Sequence, residues 1–302
     1  PDAVLLNHSN PMAVICRAMR KYTDIEFIGI CHGVHHGIGR VAELLDAEPE
    51  EIECTWIGTN HYYWFLRILR DGEDVYDEVL ERVSEIPEEH CALGDRLSRA
   101  YGHVLAYPVD SHVIEFYPYA AQAESWDGLP YGLAEEAARR RGQGEEEEDA
   151  REQEESSAEQ FYADLQAELD EREEPEVEDV EDIAALIGAM ATGQRKVFTL
   201  NVPNRGMVPN LPSHALLEGE CVTDSRGARP IYTGPCPTTL KGILEKRIAW
   251  HELVADAAVK GDRRSALKAL LLDEMAILPG EAEAMLDELL EASRGMLPQF
   301  FD

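Results

Sequence analysis

A chain of 302 residues with 60 acidic against 27 basic side chains, a formal charge of −33, can bury a large core but would repel the phosphates of a nucleic acid. No run approaches the roughly 18 uninterrupted apolar residues of a membrane-spanning helix, and no basic-plus-apolar leader is visible, which excludes membrane insertion as its working mode. Six cysteines (16, 31, 54, 91, 221, 236) are too few for a disulfide scaffold and suit a reducing cytoplasm; Cys16, Cys54 and Cys91 read as small buried hydrophobes.

The chain starts at Pro1, and residues 2–7 have the character of a strand entered midway, which predicts that an N-terminal portion has been removed. No Gly-x-Gly-x-x-Gly follows a strand anywhere in it. Asn10-Pro11 opens a helix over residues 12–21 with proline at its start, and Asn10 is able to cap that helix. Residues 27–30 read as a buried strand ending in Cys31-His32-Gly33, with helical spacing resuming over 38–45. Taken alone, this pair is a buried cysteine beside a polar turn. A second strand, residues 54–61, also ends in a potential ligand, His61, followed by Tyr62, Tyr63 and Trp64. Two strands delivering Cys31 and His61 could hold one divalent metal, with positions left open for substrate.

Residues 65–69 read as a strand running to the turn Asp71-Gly72, 74–83 as an amphipathic helix, and 94–101 as another that stops at Gly102. Residues 107–118 bring Asp110, His112 and Glu115 within six positions; an ordinary loop with a helix cap at Asp110 or Ser111 is the alternative. Residues 139–178 form an acidic block with few apolar partners, with a short helix over 161–169. Lysine occurs only at 21, 196, 241, 246, 260 and 268, and an acid-rich, lysine-poor surface predicts a halophilic source, where salt screens the self-repulsion. A helix over 182–190 stops near Gly193, a strand spans 196–202, and 201–212 is a Pro/Asn/Gly-rich loop read mainly as scaffolding. Strands over 215–223 and 228–232 pair around residues 224–227, and helices cover 239–260, 263–272 and 280–293; Trp250-His251 is assigned to packing rather than chemistry.

Asn-His-Ser-Asn-Pro at 7–11, Cys-His-Gly at 31–33, Gly-Thr-Asn-His-Tyr-Tyr-Trp at 58–64 and Leu-Asn-Val-Pro-Asn-Arg-Gly-Met-Val-Pro-Asn-Leu-Pro at 200–212 occur in that order. Together they make the chain similar to glycoside hydrolase family 4 over nearly its whole length, apart from the acidic insertion. The resemblance implies an α+β fold: the C-terminal domain of the lactate/malate dehydrogenase-like type, preceded by the last strand of a missing Rossmann domain. Residues 1–12 would end the NAD-binding domain, and 13–302 would form the catalytic and metal-binding domain with its insertion at 139–178. It further implies NAD and Mn²⁺ as cofactors, although a Cys plus His donor set by softness suits zinc.

The implied chemistry takes a hydride from C3 of the sugar to NAD⁺, removes the acidified C2 proton, expels the C1 leaving group, adds water and returns the hydride; the retaining and inverting carboxylate-pair schemes do not apply to it. In this scheme Cys31 and His61 hold the metal, and His32 stands where the phospho-sugar subgroup carries an Asp acting on the leaving group. Asn10 orients sugar hydroxyls, and Asn60 and Trp64 support His61 and wall the pocket, with Asn60 touching substrate. The base falls among Asp110, Ser111 and His112; this stretch is most similar to a subgroup with Ser-Glu-His-x-x-Glu-Tyr, which aligns His112 and Glu115. Cys-His rather than Cys-Asp implies an unphosphorylated α-galactoside, α-glucoside or hexuronide such as α-galacturonide. The helical tail is compatible with a homodimer or homotetramer. The rivals are a malate- or lactate-type dehydrogenase, which would have no use for Cys31 and His61, and an inactive fragment serving only in oligomerisation.

Overall fold

The computed structural model describes residues 3–87, 91–106, 113, 115–117, 183–273 and 278–301. The acidic segment 139–178 with its expected helix 161–169, and Asp110, Ser111 and His112, lie outside the described residues.

Strands β1 (Val4–Asn7) and β2 (Glu26–Gly29) pair in parallel, from Val4 opposite Glu26 to Asn7 opposite Gly29. Parallel neighbours need a crossover, and helix α1 (Met12–Tyr22) supplies it, burying Met12, Ala13 and Cys16. Helix α2 (Gly33–Leu44) follows directly. This strand–helix–strand–helix run corrects the expectation that everything of the Rossmann domain but one strand is missing. The short run Phe27-Ile28-Gly29 hydrogen-bonds to β1 in the same sheet, so it continues the Rossmann-like unit rather than opening a separate domain.

The strands expected over 54–61 and 65–69 are the two arms of one hairpin, β3 (Ile52–Thr59) and β4 (Tyr62–Arg70), with β5 (Glu73–Asp74) completing a three-stranded antiparallel sheet. Thr59 pairs with Tyr62, so Asn60 and His61 are the two turn residues, and His61 adopts φ 61°. The tight turn depends on Gly58: a Cβ there would lie 2.1 Å from the Tyr62 carbonyl oxygen. Helices α3 (Tyr76–Glu85) and α4 (Leu93–Tyr101) pack behind the hairpin, α4 ending at Gly102 in the left-handed region, φ 66°, where a side chain would be strained.

Helix α5 (Ile183–Thr192) leads into β6 (Lys196–Pro203), β7 (Leu216–Asp224) and β8 (Gly227–Pro230), which extend the first sheet to the order β1-β2-β6-β7-β8. The β7–β8 turn is the expected one, held by Asp224, whose carboxylate takes Arg229 at 2.7 Å and Arg226 at 3.1 Å. The loop after β6 is organised by Asn204: its amide nitrogen donates to Val208 O and Leu211 O, and its oxygen accepts from Val208 N. Helices α6 (Thr238–Lys260), α7 (Arg263–Asp273) and α8 (Pro279–Ala292) finish the described chain apart from a last 3₁₀ turn, Pro298–Phe300.

Alternation along β4 divides the interior. Tyr62 and Trp64 face a core with Ile28, Leu200, Leu217 and Leu240, while Tyr63 and Phe65 face a second one with Val34, Val41 and Val79. Helix α6 is tied to α1 by ion pairs of Arg17 with Glu252 and of Lys21 with Glu252 (2.9 Å) and Asp256. All six cysteines are free thiols, and no helix among the described residues is long and apolar enough to cross a membrane.

Candidate active site

Two backbone features converge on one point. The chain leaves β2 and turns into α2 through Cys31 and His32, and the β3–β4 hairpin brings its turn, Asn60-His61, to the same place. Cys31 is buried, and its sulfur accepts the Gly33 N–H at 3.4 Å from the first residue of α2, at the positive end of that helix. The side chains of Cys31 and His61 are hydrogen-bonded to each other. The imidazole Nδ1 lies 3.6 Å from Glu115 Oε2. Burial opposes a charge on His61, but the hydrogen bonds and negative charges of Cys31 and Glu115 outweigh it and push its pKa up to about 10. A cation binding there competes with that proton for the same ring.

Glu115 is placed by its neighbours. Phe116 stacks on Tyr62 with ring centroids 4.4 Å apart and planes 6° from parallel, and the Tyr117 and Tyr62 hydroxyls are 2.7 Å apart. The segment carrying the expected base is therefore clamped at its C-terminal side to the strand that follows His61.

Asn10, Asn60, His61, Glu115, Arg247 and His251 line a cavity of about 520 Å³, with Phe116 and Trp250 as its aromatic walls. Asn10 combines its two expected placements: its Oδ1 accepts the Met12 N–H at 3.3 Å at the start of α1, and the residue borders the cavity. Asn60 is buried, and its amide donates to Glu218 Oε2 at 3.0 Å. Trp64, expected in the pocket wall, is fully buried in the core against Tyr62 and Tyr101. His32 is exposed at the start of α2, its ring 4.9 Å from that of His36.

The far wall comes from α6. Arg247 donates to Asp273 Oδ1 at 2.9 Å, and its guanidinium lies over the rings of Phe116 (4.9 Å) and Trp250 (5.0 Å). One turn on, His251 is 5% exposed, and its Nδ1 has no hydrogen-bond partner among the described residues. Burial, reinforced by the charge of Arg247 and only partly offset by Glu252, pushes its pKa down to about 3, so the ring is neutral in ordinary buffers. Neither residue was singled out for chemistry from the sequence. The signal was there: the buried stripe of α6 runs Leu240, Leu244, Arg247, Ile248, His251, Ala255, and two polar side chains stand where periodicity calls for apolar ones.

Among the described residues, no group of three or more His, Cys, Asp and Glu is gathered as a ready-made metal cluster. Cys31 and His61 nevertheless present an interacting thiol and imidazole beside a carboxylate. That donor set fits a divalent cation that takes its remaining ligands from elsewhere, including a substrate's oxygens.

Comparison with known proteins matches residues 56–276 to the Family 4 glycosyl hydrolase C-terminal domain and residues 1–47 to the Family 4 glycosyl hydrolase model. The second match completes the correction made from the fold: the N-terminal, Rossmann-like part of the family pattern is represented over β1-α1-β2-α2 and is not missing. An alpha-galactosidase of Bacillus subtilis (strain 168) is 29% identical over 308 residues, covering 99% of this chain and 68% of that protein. A probable 6-phospho-beta-glucosidase of the same organism is 24% identical over 319 residues, covering 100% of this chain and 67% of that protein. In fold, the chain is similar to a 6-phospho-alpha-glucosidase from gut microorganisms solved in complex with NAD and Mn²⁺, with a TM-score of 0.73, 22% identity and coverage of 97% of this chain and 68% of that one.

Proposed function

The chain belongs to family 4 of the glycosyl hydrolases, and from that premise we propose that it hydrolyses an unphosphorylated α-hexoside or hexuronide with NAD and Mn²⁺ as cofactors. The observation that carries this reading is the contact between Cys31 and His61 at the edge of a sugar-sized cavity. An ordinary carboxylate-pair glycosidase has no use for such a pair. When bound, NAD supplies reversible hydride acceptance and Mn²⁺ supplies Lewis acidity toward the sugar's oxygens.

The chain's own residues do the rest. Cys31 and His61 hold the cation, and Glu115 orients the His61 ring through Nδ1. Asn10 and Asn60 bind and orient sugar hydroxyls from the cavity wall. The C2 proton passes to a base at Asp110 or His112, which lie just before the clamped residues 115–117, and His32 gives a proton to the departing oxygen. The His at position 32 and the alpha-galactosidase relative support a substrate without phosphate. The relatives named as phospho-glycosidases make the phosphorylated sugar the alternative to exclude. A cytoplasmic homodimer or homotetramer is the expected working form.

The test is hydrolysis of p-nitrophenyl α-galactoside, α-glucoside and α-galacturonide, and of their 6-phosphorylated counterparts where these exist. Each is assayed after chelation and nucleotide removal, then with NAD⁺ and Mn²⁺ restored singly and together. Activity only with both present supports the proposal. Turnover that ignores both overturns it, and turnover confined to phosphorylated sugars overturns the substrate part alone.

A further inference from the structure

Behind the Cys31–His61 pair, outside the cavity lining, sits a carboxylate to which the reaction scheme assigns no part. Glu218 lies in the middle of β7 and is 0% exposed. One of its oxygens, Oε2, accepts from two amides: Asn60 Nδ2 at 3.0 Å and Asn201 Nδ2 at 2.9 Å. Its backbone oxygen also accepts the indole N–H of Trp56 at 3.0 Å, which ties β3 to β7.

The origins of these donors matter. Asn60 is the turn residue immediately before His61. Asn201 stands opposite Gly29, the residue pair through which β2 meets β6, and Gly29 lies two positions before Cys31. Contact at that crossing is tight: a Cβ on Gly29 would come within 2.8 Å of Asn201 Cβ and of Met12 Sδ. A shift of Asn201 is therefore passed to β2 and its sulfur, and a shift of Asn60 is passed to the imidazole. One buried carboxylate oxygen registers both strand ends against each other. Filling volume alone would not call for a carboxylate here, because burying one is costly unless its hydrogen bonds are made.

We propose that Glu218 is a positioning residue for the metal pair: through Asn60 and Asn201 it sets the separation at which Cys31 and His61 can grip one divalent cation. This rests on the reading of Cys31 and His61 as the metal ligands. The competing role is glue between the two sheets, in which case loss of Glu218 lowers stability but leaves the metal affinity of the folded protein unchanged.

The experiment titrates the full chain with Co²⁺, following the cobalt–thiolate charge-transfer band, and with Mn²⁺, followed by electron paramagnetic resonance. Wild type, C31S, E218A, E218Q and N201A are compared, with thermal melts recorded in parallel. The expected result is a band in wild type that C31S abolishes, and binding about ten- to a hundredfold weaker in folded E218A. E218Q, which keeps an oxygen in place for both amides, should restore most of that affinity. Binding by E218A as tight as wild type overturns the positioning role even where its melting temperature falls. Should E218A fail to fold, N201A decides: weakened binding supports the role, and unchanged binding overturns it. A wild-type protein without a band dependent on Cys31 removes the metal reading itself, a failure distinct from that of Glu218.

Discussion

The two walls of the cavity are built on opposite principles. On the hairpin side, Cys31, His61 and Glu115 form a row of interacting ionisable groups, and a cation must compete with the proton that this neighbourhood favours on His61. On the α6 side, Arg247 is pinned by Asp273 and sandwiched by aromatic rings, and His251 is buried until it cannot take a proton in neutral solution. The difference teaches how one cavity divides its labour. Interacting ionisable groups meet where the end of β2 and the hairpin turn converge, whereas Arg247 and His251 are desolvated inside a helix stripe.

Substitutions can break or sharpen that contrast. The largest effect is expected on the hairpin side. C31S or H61N should lower kcat/KM by about three orders of magnitude, since several kcal/mol of Lewis-acid stabilisation are lost, and chelation should mimic both until Mn²⁺ is restored. Steady-state kinetics would check this; an equal collapse of kcat in an α6 variant would erase the distinction between the walls.

A middle-sized effect is expected at Arg247. R247M leaves Asp273 unpaired and should cost about 3 kcal/mol in urea unfolding, with a rise in KM. A stable R247M with unchanged KM would show that this wall neither recognises substrate nor depends on the ion pair.

The smallest effect at neutral pH belongs to His251. Its folded pKa of about 3 lies below its ordinary 6.5, so between those values the unfolded chain binds a proton that the folded one refuses. The stability it contributes is therefore whole above about pH 6.5 and drains away as the pH falls toward 3. H251Q should flatten that acid limb while changing stability little at pH 7 to 8, as read from denaturant midpoints across pH. An unaltered acid limb would place the proton uptake elsewhere.

Much of this architecture was legible in local pattern. The helix ending at Gly102, the β7–β8 turn and the three C-terminal helices follow from apolar spacing and from residues that tolerate the left-handed region. The Rossmann-like unit was read as missing because residues 2–7 look like a strand entered midway and no Gly-x-Gly-x-x-Gly follows a strand; the pairing of β1 with β2, which a four-residue strand does not announce, overturns that. Arg247 was passed over and His251 was assigned to packing because a place on a helix stripe says nothing of the cavity that the stripe borders once the chain has folded. Asp110 and His112 lie outside the described residues, so the choice of base rests where the sequence left it.

By itself, then, the order of residues determined which chemical types stand at the ends of which strands: a thiol at 31, an imidazole at 61, an amide at 10. Only tertiary structure decided that the first two touch, that Glu115 backs the ring, and that Glu218 braces the arrangement. The physical reason is range. Propensity and periodicity act over a few residues, whereas Asn60 and Glu218 are 158 positions apart and Arg247 reaches the Glu115 carbonyl across 132, and such contacts exist only once the sheets and α6 have packed.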